Sequence, residues 1–164
     1  MVTRVIGFLF DESGEHTLLV LRKAPAWKKG LLDGIGRAIS SQGKSNYLEM
    51  VDAGIDEVGI TPSYGNWEQF LRLSFADYEY VCFAAVVSFK NMATSKTGTA
   101  DTEMVKVDEV RASRMLPMAS WLLPMAHFHM FRAHFDRIGF LQVQGSERIT
   151  LPVFNRSSKA AIAG

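Results

Sequence analysis

Residues 45–60 read SNYLEMVDAGIDEVGI, and this stretch decides the predicted fold. Its hydrophobic residues recur at helical spacing and predict one apolar stripe, formed by Leu48, Val51, Ile55 and Val58. Ser45 is suited to the N-cap of such a helix, and Gly59 is suited to the position just after its last turn. We therefore predict a helix over residues 45–58 that buries this stripe.

A second set of side chains on the same helix is acidic, and consists of Glu49, Asp52, Asp56 and Glu57. At about 100° per residue these side chains share an arc about 140° wide. Like charges at these spacings repel one another, and the helix C-terminus disfavours the last two acids. A hard divalent cation such as Mg²⁺ would relieve the repulsion. Lysines or arginines from elsewhere in the chain would also do so, and the helix taken alone favours this second explanation.

Length and charge limit the class of protein. The chain has 164 residues, and we predict a single domain over 1–154 with a flexible tail over 155–164. Its 18 Lys and Arg nearly balance 17 Asp and Glu, so no nucleic-acid partner is expected. No apolar run approaches the roughly 20 residues that span a bilayer, so no membrane partner is expected either. The single cysteine, Cys82, excludes an internal disulfide, and a cytoplasmic location is the default prediction.

The order of predicted elements favours an α/β or α+β sandwich, with helices packed on a mixed sheet. In the first half we predict strands over 4–10 and 17–22, a long loop over 24–45 and the helix. Strands around 67–75 and 78–89, a polar loop over 91–103 and a short strand near 104–107 follow. The last predicted elements are a helix from Ser120 to Phe135 with Pro124 in its first turn, and a hairpin of strands 140–144 and 148–154. Two arrangements of this extra C-terminal hairpin stay open. It either pairs with a second subunit to make a homodimer or covers the edge of its own sheet.

Three segments resemble the Nudix hydrolase family, in particular MutT-like members from bacteriophages and bacteria. They are KAPAWKKGLLDGIG (23–36), DEVGI (56–60) and WLLPMA (121–126). DEVGI is similar to the end of the family signature, G-x5-E-x7-R-E-U-x-E-E-x-G-U, in which U is a bulky aliphatic residue. The resemblance covers about residues 4–135. It implies a Nudix-type α/β/α sandwich, a mixed sheet flanked by helices, and a nucleotide pyrophosphatase that uses a divalent metal.

The signature is degenerate in this chain. Arg37 stands where the family has a second glycine, and Lys44 stands where it has its first glutamate. Asp52 and Ala53 replace the arginine–glutamate pair, so only the acids of DEVGI remain in place. The resemblance implies Mg²⁺ or Mn²⁺ as the cofactor of an active enzyme, with Asp56, Glu57 and Asp52 as the candidate metal ligands.

The resemblance also suggests catalytic and binding residues. Glu57 is the candidate catalytic carboxylate, and Glu103 lies where relatives carry an acid in the loop opposite the signature helix. The alternative for Glu103 is a solvated loop acid. Arg37 and Lys44 are candidate phosphate contacts that would replace metal charge with side-chain charge. Trp27, beside two lysines in the long loop, is the candidate for stacking on a base.

We therefore predict a Nudix-fold nucleotide-binding protein of the nucleoside-diphosphate-linked pyrophosphohydrolase lineage, with weak or lost hydrolysis. Its partner would be a nucleotide or a nucleoside-diphosphate-linked small molecule, and a non-hydrolysing protein would need no cofactor. Two alternatives stay open. One is an active Mg²⁺-dependent hydrolase of acid anhydrides that cleaves a nucleoside triphosphate or a nucleoside diphosphate derivative. The other is a scaffold for protein–protein interaction.

Overall fold

A computed structural model of the chain describes residues 2–39, 43–62, 67–94, 98–131 and 149–150. Within these ranges the helices and strands are β1 (Val2–Phe10), β2 (His16–Leu21), β3 (Leu32–Asp33), α1 (Asn46–Val58), β4 (Glu68–Ser74), β5 (Tyr78–Val86), α2 (Phe89–Thr94), β6 (Thr102–Lys106), α3 (Pro117–Phe131) and β7 (Ile149–Thr150). Two short 3₁₀ turns cover Ala26–Lys28 and Ala112–Arg114. No helix in these ranges is both long enough and apolar enough to cross a membrane.

The strands form one mixed sheet in the order β3-β2-β1-β5-β4-β7, and β6 pairs with β2. The central pair, β1 and β5, is parallel from Val2 opposite Tyr78 to Phe10 opposite Val86. The other strand pairs are antiparallel. The predicted mixed sheet flanked by helices is therefore confirmed.

Side chains alternate across this sheet and build a separate apolar cluster on each face. Along β1, Ile6 and Phe8 belong to the cluster that contains the buried residues of α3. Val5 and Leu9 belong to the cluster that contains the buried residues of α1. The two helices consequently lie on opposite faces of the sheet.

Residues 32–38 insert where β1 and β2 diverge. β3 pairs with the end of β2, and isolated bridges then join Ile35 to Gly7 and Ala38 to Arg4 of β1. A Cβ atom on Gly36 would overlap the backbone carbonyl of Val5, so the close approach requires glycine. This insertion brings the following residue, an arginine, to the side of α1.

Helix α1 has the predicted ends but a different buried face. Ser45 Oγ accepts a hydrogen bond from the Leu48 N–H, and Gly59 adopts φ 69° after the last turn. The predicted apolar stripe is wrong at Leu48 and Ile55, which are 49% and 46% exposed, whereas Val58 is buried as predicted. The other buried residues of the helix are Glu49, Met50, Ala53 and Gly54.

Small side chains explain this rotation of the helix. A Cβ on Gly54 would lie 3.3 Å from the ring of Trp67, which is itself buried. The small surface of Ala53 and Gly54 therefore lets the helix backbone approach the core more closely than Leu48 or Ile55 would. The contact with Trp67 outweighs the local periodicity.

Two other boundaries differ from the prediction. Helix α3 begins at Pro117, which suits a first helical position, and not at Ser120. Pro124 consequently lies inside the helix and not in its first turn. Because proline has no N–H, the helix lacks one backbone hydrogen bond to the preceding turn. The predicted polar loop 91–103 is wrong at its start, because α2 continues to Thr94.

The C-terminal hairpin lies mostly outside the described residues, as do its predicted strand 140–144 and the tail 155–164. The backbone of Ile149–Thr150 pairs with β4 of the same chain, with Arg72 opposite Thr150. This pairing covers part of the sheet edge. The homodimer stays a prediction.

Cys82 is fully buried on β5. Burial raises the pKa of its thiol far above the ordinary value, because the thiolate would lose its solvation. We expect the folded protein to react with a thiol reagent such as DTNB far more slowly than the unfolded chain in guanidinium chloride. Equal rates in the two solutions would show that this strand opens readily.

Candidate functional site

A cleft of about 930 Å³ opens beside the inserted segment, where β1, β5 and the start of α3 meet. Its lining is cationic and aromatic: Arg4, Arg22, Lys28 and Arg37 carry positive charge, and Trp27, Phe75, Tyr80 and Trp121 supply rings. Asp33 is the acidic side chain among the described lining residues. Such a lining can hold an anionic group next to a flat ring system.

Arg22 joins the floor of this cleft to α1. Its Nη1 donates to Glu57 at 2.8 Å, its Nε donates to Asp33 at 3.0 Å, and its Nη2 donates to the Gly34 carbonyl at 2.8 Å. The second oxygen of Glu57 accepts the Gly36 N–H at 2.9 Å. Burial alone would lower the pKa of Arg22, but attraction to Glu57 and Asp33 raises it above the ordinary value. The guanidinium is thus a fixed cross-link.

Arg37 lies against the acidic face of α1. Its Nη1 donates to Asp56 at 2.6 Å, and its Nη2 lies 3.2 Å from Glu49 and 3.3 Å from Asp52. Partial burial opposes the charge on Arg37, but the hydrogen bond with Asp56 and the attraction of Glu49 raise its pKa. The Arg37 guanidinium therefore pairs with three carboxylates of α1.

Lys44 supplies a second cation to the acidic residues of α1. Its Nζ lies 2.7 Å from Asp52, and this hydrogen bond lowers the pKa of that carboxyl. The same bond raises the pKa of Lys44. The prediction that cations from elsewhere match the acidic face is confirmed.

The C-terminal end of α1 is also compensated by backbone donors. The N–H of Thr99 donates to the Asp56 carbonyl at 2.9 Å, and the N–H of Ala100 donates to the Glu57 carbonyl at 3.0 Å. A Cβ on Gly98 would overlap the Glu57 carbonyl, so this close approach also requires glycine. These donors offset the negative end of the helix dipole beside the two terminal acids.

These residues do not fit a divalent cation as they are arranged. Asp52 and Asp56 bond to Arg37, and Glu57 bonds to Arg22. Across the described parts of the chain, no three His, Cys, Asp or Glu side chains come together in a way that could hold a metal ion. The predicted ligands share one helix, but one oxygen of each is already paired with a positive side chain.

Glu103 is not brought together with Glu57. It lies on β6 opposite Leu19, whose side chain belongs to the α3 cluster, so Glu103 points away from the α1 face. Arg114 holds it with two hydrogen bonds, at 2.9 and 2.8 Å. Nothing in the local sequence around Glu103 indicated this partner.

Trp27 is exposed at the rim of the cleft, with the Lys28 ammonium 4.8 Å from its ring centroid. Of the sequence-predicted phosphate contacts, Arg37 lines the cleft and Lys44 does not. Sequence reasoning missed Arg22, although an arginine directly after the apolar strand ending at Leu21 was an available signal. Trp121, a half-buried ring that packs against the α3 core cluster, also lines the cleft.

Two histidines of α3 have partners on other elements. His127 Nε2 lies 2.9 Å from the Gly14 carbonyl, which ties α3 to the turn between β1 and β2. His129 Nε2 lies 3.3 Å from Glu68. His134 lies outside the described residues.

Comparison with known proteins identifies the fold. No protein-family model and no curated protein matches the sequence. Among solved structures, MutT from a study of the Aliivibrio salmonicida and Vibrio cholerae proteins is 14% identical, with a TM-score of 0.56 over 77% of this chain and 95% of that chain. The NUDIX domain of Shewanella oneidensis NrtR, complexed with ADP ribose, is 17% identical, with a TM-score of 0.64 over 79% and 88%.

NrtR complexed with a 27mer DNA is also similar, at 17% identity and a TM-score of 0.65 over 79% of this chain and 62% of that chain. The chain therefore has the Nudix fold. Its structural neighbours include MutT, as the sequence resemblance predicted. The fold supplies a scaffold used by nucleotide hydrolases, and the chemistry of this chain depends on its own side chains.

Proposed function

We propose that this chain binds a nucleoside-diphosphate derivative in the cleft and that its hydrolytic activity is weak or lost. The observation that carries the proposal is the combined cationic and aromatic lining. Arginine and lysine side chains bind phosphate oxygens through charge-assisted hydrogen bonds. Tryptophan and tyrosine rings bind a base through stacking. The exposed cation Arg4 and the ring of Tyr80 line the same cleft, which suits a ligand with both groups.

Cleft size and the structural neighbours support a small-molecule ligand. The volume of about 930 Å³ falls within the range of about 300–1,000 Å³ that is usual for such sites. The NrtR domain of the same fold was crystallised with ADP ribose, which has two phosphates between two ring-bearing groups. We propose a ligand of this class. A role in protein binding alone would not explain why cations and aromatic rings line the same cleft.

Weak hydrolysis follows from the state of the carboxylates. Metal-assisted hydrolysis of a diphosphate needs an ion that activates water and a positioned base. Asp56 is held by Arg37, while Glu57 is held by Arg22 and the Gly36 N–H. A metal or water that used Asp56 Oδ2 or either oxygen of Glu57 would have to compete with these bonds.

Each predicted site residue has a place in this proposal. Trp27 stacks on the base, and Arg37 lines the cleft while its guanidinium stays paired with the acids of α1. Lys44 neutralises Asp52 and acts on the ligand only indirectly. Catalytic roles for Glu57 and Glu103 belong to the alternative, an active hydrolase that uses Mg²⁺ or Mn²⁺.

The experiment is a panel of nucleoside triphosphates, ADP-ribose and dinucleotides, tested with Mg²⁺ or Mn²⁺ and with EDTA. Release of phosphate or nucleotide products and thermal stabilisation are both measured. The proposal expects stabilisation in EDTA and little or no turnover. Turnover that Glu57→Gln abolishes would instead support the hydrolase. If neither turnover nor stabilisation is detected, the protein-interaction scaffold becomes the leading alternative.

Trp27→Ala tests the base contact. Loss of one stacking ring costs about 1–3 kcal/mol, so we expect roughly a 5- to 150-fold weaker Kd for ADP-ribose by calorimetry. Phe89→Ala is the matched control, because Phe89 is an exposed ring that packs on His16 away from the cleft. An unchanged Kd in Trp27→Ala, or an equal loss in both variants, would contradict the stacking role.

A further inference from the structure

We infer that Arg37 is a fixed internal cation that occupies the place of a divalent ion and closes the acidic face of α1 to metal. Its guanidinium contacts Glu49, Asp52 and Asp56, which follow one another along a single face of the helix. A hard cation would relieve the repulsion among the same oxygens. In this chain the Arg37 side chain relieves the repulsion instead.

The innermost of these carboxylates requires a permanent counter-charge. Glu49 is 1% exposed and lies on the sheet-facing side of α1. A buried carboxylate is tolerated when it is paired and hydrogen-bonded. Arg37 supplies this through contacts of 3.3 Å from Nε and 3.2 Å from Nη2 to the same oxygen. A solvent cation would have to enter beneath the guanidinium to replace it.

The backbone holds Arg37 in place. The Arg37 carbonyl accepts the N–H of Val5 at 3.0 Å, and the neighbouring bridge joins Ala38 to Arg4 of β1. The Arg37 backbone is therefore fixed beside β1. Because the guanidinium is attached to this fixed backbone, it loses no translational freedom when it binds the acids, and this favours it over a diffusing ion.

Charge also opposes entry of a metal. A divalent ion among these carboxylates would lie within a few ångströms of the Arg37 guanidinium and near the Lys44 ammonium on Asp52. Like charges at such distances repel one another, and the repulsion is strongest beside the buried Glu49. Arg37 would have to move before the ion could bind the same oxygens of Asp52 and Asp56. This inference concerns the helix face alone and stands whether or not the cleft binds a nucleotide.

The test adds Mn²⁺ alone to the full chain and measures Tm and the NMR signals of α1. We expect no paramagnetic broadening of the Asp52 and Asp56 amide signals in the natural chain, and no rise in Tm. We expect Arg37→Gln, which keeps hydrogen-bonding groups and removes the charge, to gain both effects. Its Tm should rise by about 3–6 °C at an Mn²⁺ concentration ten times the Kd.

Two further variants separate charge from shape. Arg37→Lys keeps the cation and should gain no Mn²⁺ binding. Adding Asp56→Asn to Arg37→Gln should remove the gain, because it removes one of the freed carboxylates. Selective broadening of these amides in the natural chain would overturn the inference and needs no variant. A folded Arg37→Gln chain that gains no Mn²⁺ binding would overturn it as well.

Discussion

Arg22→Ala is expected to lower the free energy of unfolding by about 3 kcal/mol, through loss of the cross-link between β2, the inserted segment and α1. The side chains of Arg22 and Glu57 are 19% and 18% exposed, so removal of the guanidinium leaves Glu57 and Asp33 largely buried without it. For a chain of this length we expect Tm to fall by roughly 6–12 °C. Differential scanning calorimetry measures both quantities.

Arg114→Ala is the matched control for this prediction. Arg114 also pairs with a carboxylate through two hydrogen bonds, but both it and Glu103 are solvent-accessible. Exposed ion pairs contribute about 0–1 kcal/mol. An Arg22→Ala loss no larger than that of Arg114→Ala would show that the buried network does not hold the site together.

Gly36→Ala is expected to cost about 2–3 kcal/mol and to disturb the site as well as the fold. The added Cβ would overlap the Val5 carbonyl, so the inserted segment would have to move away from β1. That movement would stretch the hydrogen bond from the Gly36 N–H to Glu57 and shift Arg37 from α1. Thermal unfolding reports the loss of stability, and amide chemical shifts of α1 report the displacement.

Gly30→Ala provides the comparison for the glycine effect. Gly30 has φ 81°, and a Cβ added there would meet no heavy atom within 4 Å beyond its chain neighbours, so alanine causes backbone strain without a clash. We expect a loss of about 1–2 kcal/mol and unchanged shifts in α1. If Gly36→Ala were no more disruptive than Gly30→Ala, close packing of the inserted segment could not be what positions Arg37.

Local signals in the sequence were sufficient for most of the fold. The Ser45 cap and Gly59 define the ends of α1, because both act through hydrogen bonds or dihedral angles within a few residues. The first two strands, on either side of the polar segment DESGEH (11–16), follow from alternation and turn chemistry. The resemblance carried by DEVGI extended these pieces to the Nudix fold.

The buried face of α1 and the charge pairing of the site depend on distant contacts. Ala53 and Gly54 face the core because Trp67 fits against them, and periodicity within the helix carries no information about that ring. Arg22 and Glu57 are 35 positions apart, so their pairing becomes visible only when the sheet places them together. Acids that suggest a metal site in the sequence are, in the structure, bonded to arginine and lysine.

The most direct test of the proposed function is calorimetric titration of ADP-ribose into the full chain, first in EDTA and then with Mg²⁺. We predict saturable binding at one site in EDTA, the same Kd with Mg²⁺, and intact ADP-ribose recovered from the cell afterwards. Binding that requires Mg²⁺, or conversion of ADP-ribose to AMP and ribose phosphate, would contradict the proposal.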